Sequence, residues 1–285
     1  MVGLARIQTS GGVDVVRLSH SHVEVLDLPR VGLHSLSQLL SHPELPALVA
    51  SIPNKGSPIA PSEACWLPPI DDQEVWAAGV TYKRSQTARM EESEAAASCY
   101  DRVYTAARPE LFFKATPNRC SGHMGPLRIR KDATWNVPEP ELALVISSAG
   151  RIVGYTIGND MSSRDIEGDN PLYLPQAKLY NQCCGLGPWI TLAADMPARP
   201  SIEIGLAITR NGSIAFEGKT SVAQMAREFE DLVQWLLRDN TLANGAFLLT
   251  GTGVVPDSDF TLHPGDRVDI TISGIGTLTN TIVQG

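Results

Sequence analysis

Trp135-Asn136-Val137-Pro138-Glu139-Pro140-Glu141-Leu142-Ala143-Leu144-Val145-Ile146 places two acids at the head of a run that is otherwise apolar and reads as buried. In an extended chain, residues two apart project to the same face, so Glu139 and Glu141 aim both carboxylates at one point. Two anions held that close repel each other. Either one takes up a proton or a cation sits between them, and an all-oxygen site suits a hard divalent ion such as Mg²⁺, Mn²⁺ or Ca²⁺. Pro140 has no N–H to give a ladder, so the segment reads as a strand edge or entry that a metal can reach. A bare Glu-x-Glu is more often a pair of surface acids, because charged side chains are usually exposed. The neighbouring sequence decides between the two.

Downstream, Arg151-Ile152-Val153-Gly154-Tyr155-Thr156-Ile157-Gly158 reads as a second strand running into Asn159-Asp160-Met161-Ser162-Ser163-Arg164-Asp165. A hairpin turning at Ser148-Ala149-Gly150 returns Asp160 to the glutamate pair as a third oxygen ligand. Lys178 follows in Leu174-Pro175-Gln176-Ala177-Lys178-Leu179-Tyr180, and Gly185-Leu186-Gly187-Pro188-Trp189 closes the block. These ordered motifs resemble the fumarylacetoacetate hydrolase superfamily. Adding Arg108-Pro109-Glu110-Leu111-Phe112-Phe113-Lys114-Ala115-Thr116-Pro117-Asn118-Arg119-Cys120 and Glu167-Gly168-Asp169-Asn170-Pro171-Leu172-Tyr173 narrows the likeness. The chain is then similar, from about Gly79 to Gly276, to the 2-keto-3-deoxy-D-arabinonate dehydratase branch. The resemblance implies an α+β, mostly β fold, a mixed β-sandwich roll with a small N-terminal domain.

The composition is that of an ordinary globular protein. Of 285 residues 43% are hydrophobic and 19% charged, enough for a full core and unlike a disordered or membrane chain. A net charge of −8 argues against nucleic acid as a partner. Five cysteines (Cys65, Cys99, Cys120, Cys183, Cys184) form no CxxC pair, so reduced thiols and a cytoplasmic setting are expected. No stretch approaches the length that spans a bilayer, and the first residues carry no sustained apolar segment, so no membrane partner is expected.

Residues 1–70 read as a small N-terminal domain without chemistry of its own, and 71–285 as the catalytic domain. In the first part, Gly11-Gly12 separates two strand-like pieces as a hairpin, Leu33–Leu40 reads as a short helix, and Ser57–Pro61 with Leu67-Pro68-Pro69 reads as a linker. Its histidines (His20, His22, His34, His42) have no acid or cysteine patterned with them and read as solvated. Glu74–Tyr82 is a buried strand ending at a loop, with Tyr82 and Arg84 as candidate substrate contacts. Phe112 and Phe113 are expected to face inward, with Lys114 and Arg119 presenting positive charge to an anionic substrate, and His123 framing the pocket. Further on, Arg210-Asn211-Gly212-Ser213 signals a type I′ hairpin. Ser221 caps a helix whose stripe is Val222, Met225, Phe229, Leu232, Val233, Leu236 and Leu237, which is core packing. Thr250-Gly251-Thr252-Gly253 lacks the Lys-Ser/Thr ending of a phosphate loop. It is similar to the superfamily's Thr-Gly-Thr turn, which makes Thr252 a candidate substrate contact.

The chemistry implied is loss of water from a 2-keto-3-deoxy sugar acid, giving 2,5-dioxopentanoate through a metal-stabilised enolate, with Mg²⁺ first among the cofactors. Lys178 is the candidate base, since a partly desolvated ammonium beside a divalent cation is disfavoured, and Glu110 is the candidate acid for the departing hydroxyl. Arg164 and Asp165 are expected to brace the metal ligands. The superfamily's hydrolases often carry histidine at the position of Ser85, a departure that makes hydrolysis the weaker reading; several carry glutamine at that of Glu167, a departure that bears on the substrate contacts the resemblance implies, and Glu167 is read as no more than a pocket acid. The alternatives are C–C hydrolysis of an acylpyruvate, decarboxylation of an oxaloacetate-like acid, or a metal-binding homologue without turnover. A homo-oligomer, dimer or tetramer, is expected, with a small-molecule 2-keto acid as the other partner.

Overall fold

The run Pro140–Ile146 forms a strand whose seven residues are all buried, which requires cover on both faces. The computed structural model, which describes residues 3–19, 22–83 and 102–285, supplies both covers. In chain order the strands are β1 (Gly3–Thr9), β2 (Gly12–Ser19), β3 (His22–Val25), β4 (Cys65–Leu67), β5 (Glu74–Gly79), β6 (Glu110–Ala115), β7 (Cys120–Ser121), β8 (Pro126–Ile129), β9 (Asn136–Val137), β10 (Pro140–Ile146), β11 (Ile152–Asp160), β12 (Ser162–Ser163), β13 (Cys184–Leu192), β14 (Glu203–Arg210), β15 (Ser213–Ser221), β16 (Ala246–Leu249), β17 (Arg267–Ile272) and β18 (Gly276–Gln284). The helices used below are α1 (Leu36–Leu40), α2 (Leu45–Ser51), α3 (Arg164–Asp169), α4 (Leu174–Lys178) and α5 (Phe229–Leu236).

The large sheet runs β3-β2-β1-β13-β11-β10-β16-β5-β6, so β10 lies inside it and Pro140 is an entry residue rather than an edge. A five-stranded sheet, β15-β14-β17-β18-β8, packs on one face. There Leu142, Leu144 and Ile146 meet Ile204, Leu206, Ile208, Val268 and Ile270, with Leu232 and Leu236 of α5. On the other face Ala143 and Val145 meet the leucines of α1 and α2. Each leucine buried in this way contributes about 1.5–3 kcal/mol. The fold is therefore α+β and mostly β, two packed sheets with small N-terminal elements.

Two turns are as expected. Asn211 and Gly212 both have positive φ (50° and 80°), as a type I′ turn requires, and Gly150 (φ 75°) turns β10 into β11. Three expectations change. The stripe from Val222 to Leu237 is not one helix: Val222–Gln224 is a single 3₁₀ turn, the chain extends through Met225, and α5 starts at Phe229. Met225 instead bridges Tyr82, and Ala226 N–H donates to Thr81 O at 2.8 Å. The proposed linker is partly sheet, since β4 pairs with β1 and Ile59 bridges Val23. Phe112 and Phe113 alternate on β6, so they cannot share a side. Phe113 packs edge-on against Trp76, while Phe112 faces the cavity described next. The readings of His20, Arg84, Ser85 and Cys99 fall outside the described residues.

Candidate active site

The ladder between β10 and β11 sets the first three acids. Pro140 is in register with Asn159, Asp160 N–H donates to Glu139 O (3.0 Å), and Glu139 N–H donates to Asn159 Oδ1 (3.2 Å). One ligand atom each from Glu139, Glu141 and Asp160 then lies within 4.8 Å of the others, and all three residues are buried. An octahedral Mg²⁺ with oxygens at about 2.1 Å places them roughly 3 Å (adjacent) to 4.2 Å (opposite) apart, so this donor set accommodates a divalent cation.

The surrounding charges alternate. Lys178, the last residue of α4, donates to Glu139 Oε2 and to Asp160 Oδ2 (3.0 Å), and Arg164 Nη2 donates to Glu139 Oε1 (2.6 Å). Lys114 Nζ is 2.6 Å from Asp160 Oδ1. Burial opposes the Asp160 charge, but Lys114 and Lys178 outweigh it and hold its carboxyl below the usual range. Burial likewise opposes the charge on Lys114, and Asp160 outweighs it, holding the ammonium above its ordinary value. Glu141 differs. Its carboxylate accepts the Gly251 N–H at 2.5 Å, and it has no ion pair among the described residues. Burial, then Asp160 and Glu139, push its carboxyl well above the ordinary carboxylate range. The missing positive charge is at this corner, and a cation held by the three acids supplies it.

Gly251 has φ 94°, and a Cβ there would lie 2.0 Å from Thr81 Oγ1, so this turn needs glycine to aim its N–H at Glu141. Glu110 stands opposite Gly79 in the β5–β6 ladder. Its Oε2 occupies the space of the missing side chain, 2.0 Å from where a Gly79 Cβ would be. The segment before Glu110 is held by Arg227, whose guanidinium donates to Val103 O (2.9 Å), Ala106 O (2.7 Å) and Ala107 O (3.2 Å). Arg108 lies over the Trp235 ring, 4.5 Å from its centroid.

Of the residues named from sequence, Glu110, Glu139, Glu141, Asp160, Lys178 and Thr252 line one cavity, together with Val80, Phe112 and Glu167. Thr252 Oγ1 already donates to Val254 O (3.0 Å). Others are placed differently. Lys114 is fully buried and does not face the cavity: its ammonium donates to Met161 O (2.9 Å) and Lys178 O (2.6 Å) and pairs with Asp160, so it is committed to the interior rather than to a substrate. Arg119 does not line the cavity and donates to Thr116 Oγ1 (2.6 Å). Tyr82 is buried behind Gly253 rather than on the cavity wall, and burial, with the nearby Glu141 adding to it, raises its phenol above the ordinary value. Arg164 braces Glu139 as expected, but Asp165 accepts from Thr134 N (2.6 Å) and Oγ1 (2.9 Å) and so ties down the preceding loop. His123 Nδ1 accepts the Thr279 N–H and lies off the cavity. Sequence reasoning missed Gly79 and Gly251, whose roles arise from contacts across the fold, and gave Glu167 no role beyond a pocket acid.

With this geometry in view, known proteins bear on the chain. It is 49% identical over 214 residues, 75% of this chain and 73% of the other, to a probable 2-keto-3-deoxyxylonate dehydratase of Haloferax volcanii. It is 47% identical over 213 residues, 74% of this chain and 72% of the other, to the 2-dehydro-3-deoxy-D-arabinonate dehydratase of Saccharolobus solfataricus. Among solved structures, 2-keto-3-deoxy-D-arabinonate dehydratase complexed with magnesium and 2,5-dioxopentanoate superposes with a TM-score of 0.84 at 36% identity, covering 99% of both chains. The family described as fumarylacetoacetate (FAA) hydrolase C-terminal matches residues 74–283, and the chain belongs to that family.

Proposed function

We propose that the protein is a metal-dependent dehydratase of 2-keto-3-deoxy sugar acids, taking 2-keto-3-deoxy-D-arabinonate to 2,5-dioxopentanoate and water. The observation that carries this is the single cavity walled at once by the three converging acids, by Lys178 and by Glu110. Glu139, Glu141 and Asp160 hold the cation, Mg²⁺ before Mn²⁺ or Ca²⁺, and when bound it supplies a Lewis acid for the carboxylate and keto oxygens of the substrate. Lys178 is the base that takes the C3 proton. Its Nζ, on the oxygens of Glu139 and Asp160, borders the same space. Glu110 carries the proton that leaves with the C4 hydroxyl as water. A second proton removal at C5 and return at C3 yields the enol of the product aldehyde, so only water is lost overall. The reading includes the small keto acid as partner, a cytoplasmic setting and a homo-oligomeric working form, dimer or tetramer. Among the described residues no helix is long and apolar enough to cross a membrane.

The test is an assay of 2-keto-3-deoxy sugar acids with Mg²⁺ or EDTA, scored for semialdehyde and for pyruvate. Semialdehyde is expected with Mg²⁺, abolished by EDTA and lowered at least about 100-fold in Lys178→Ala and Glu110→Gln, in line with the usual contribution of acid–base catalysis. Wild-type turnover in both variants overturns the assigned roles. Pyruvate from an acylpyruvate, without semialdehyde, overturns the dehydratase reading in favour of C–C hydrolysis.

A further inference from the structure

Two acids of the cavity stand at a junction. Glu110 on β6 and Glu167 on α3 line the inner cavity beside Lys178, and both also line an adjoining outer pocket walled by Val103, Pro109, Leu111, Pro171 and Leu174. Apart from these two acids the named outer wall is aliphatic, so any polar selection along that passage falls to Glu110 and Glu167. Glu167 is buried, 3% exposed, although it carries an acid. Ser162 Oγ donates to its Oε2 at 2.9 Å, and Ser162 is fixed by its pairing with Val137. Glu110 is fixed from the other side by the space left at Gly79. A carboxylate accepts through about four lone-pair sites and donates nothing. At Glu167 a chain threading this junction gains a hydrogen bond where it presents a hydroxyl and meets acceptor-to-acceptor repulsion where it presents a carboxylate, while Glu110 brings the proton for the C4 hydroxyl.

We propose that Glu167 is a specificity-determining residue of this site: beside the proton-carrying Glu110 it accepts hydrogen bonds from hydroxyls on the part of the substrate beyond the 2-keto acid, selecting hydroxylated chains and rejecting chains that carry a carboxylate there. The assignment rests on the dehydratase reading for which end of the substrate sits on the three acids. Discrimination of this kind comes from repelling the wrong ligand as much as from binding the right one.

The test uses ligands that lack a C4 leaving group, so that binding is read without turnover. Wild type, Glu167→Gln and Glu167→Asp are first titrated with Mn²⁺ alone, and affinities within about twofold of one another are expected, because Glu167 is not among the converging metal-site acids. In the presence of Mg²⁺, calorimetry then compares 5-hydroxy-2-oxopentanoate, 2-oxopentanoate and 2-oxoglutarate. Wild type is expected to prefer the hydroxylated acid about 10- to 100-fold, the scale of a hydrogen bond to a charged acceptor. In Glu167→Gln, where an amide N–H₂ can donate, the preference over 2-oxoglutarate narrows at least 10-fold, and in Glu167→Asp, which keeps an acceptor, its direction is retained. Unchanged ratios in Glu167→Gln, or a wild type that favours 2-oxoglutarate, overturn the proposal with the dehydratase reading intact. A wild type that binds none of the three acids in the presence of Mg²⁺ removes the dehydratase reading and the proposal with it.

Discussion

Replacing Lys114 with methionine tests whether this buried amine is a structural strut. The side chain is 0% exposed, and its ammonium pairs with Asp160 Oδ1 at 2.6 Å and donates to Met161 O at 2.9 Å and Lys178 O at 2.6 Å. Methionine fills similar volume, so the change removes the charge and the donors rather than leaving a large void. Removing one partner of a buried ion pair costs about 3–5 kcal/mol, because the other charge stays in a medium that cannot solvate it. No discount for screening applies to a group with no solvent contact. The two carbonyls add about 1 kcal/mol each, for a total loss of about 5–7 kcal/mol. Domains are stable by about 5–15 kcal/mol, so the variant is expected near the edge of folding. Urea unfolding in EDTA reads the single variant, Asp160→Asn and the double variant. With the Asp160 charge gone, Lys114→Met has less to lose, and the two losses should fall short of additivity by at least about 2 kcal/mol. A loss under about 1 kcal/mol in Lys114→Met, or an additive cycle, refutes the strut.

Gly79→Ala places a methyl where Glu110 Oε2 now lies, and since Gly79 is not among the positive-φ residues the backbone itself tolerates alanine. Turnover should fall about 10²- to 10³-fold while Mg²⁺ affinity stays unchanged, as expected for a displaced acid in an intact site; full activity shows that Glu110 does not need this space. Glu141→Gln should act in opposite directions with and without metal. In metal-free protein the Glu141 carboxyl is raised well above its ordinary 4.5, so its contribution to stability is present below that value and lost as pH rises toward the folded value. In EDTA the variant should therefore decline less in unfolding free energy above about pH 4.5 than wild type. With Mg²⁺ it should lose the ligand-dependent gain, about 2.7 kcal/mol at a hundredfold excess over Kd. Parallel pH profiles in EDTA, or an undiminished Mg²⁺ gain, contradict the reading.

The parts of the fold legible in the sequence are those whose cause is local. Pro140–Ile146 is apolar throughout because both faces are covered, and Asn211-Gly212 turns because both residues adopt positive φ. The pairing of β1 with β13 is not legible, since nothing in Gly3–Thr9 names a partner nearly two hundred residues away. The misread helix has a definite cause. Val222 and Met225 share the helical spacing with Phe229 and Leu232, yet Met225 is buried by its bridge to Tyr82, so two unrelated burials imitate one face. Lys114 carried a signal that was misread: a lysine between Phe113 and Ala115 in an apolar strand needs a buried acid, and Asp160 is that acid.

The site was anticipated from repulsion between Glu139 and Glu141, and the geometry assigns that repulsion more narrowly. Lys114, Asp160, Lys178, Glu139 and Arg164 form a chain of alternating sign in which each acid lies between two cations. Glu139 is therefore already matched. Glu141 stands outside the chain with a backbone N–H, and its carboxyl is the one pushed upward. The alternating chain fixes the oxygens of Glu139 and Asp160 in place without a metal, and Glu141 is the one acid of the three with no ion pair among the described residues. That division of labour explains why two acids so close in sequence are not interchangeable: loss of Glu139 takes a carboxylate from two buried cations, Lys178 and Arg164, whereas loss of Glu141 removes affinity for the metal ion.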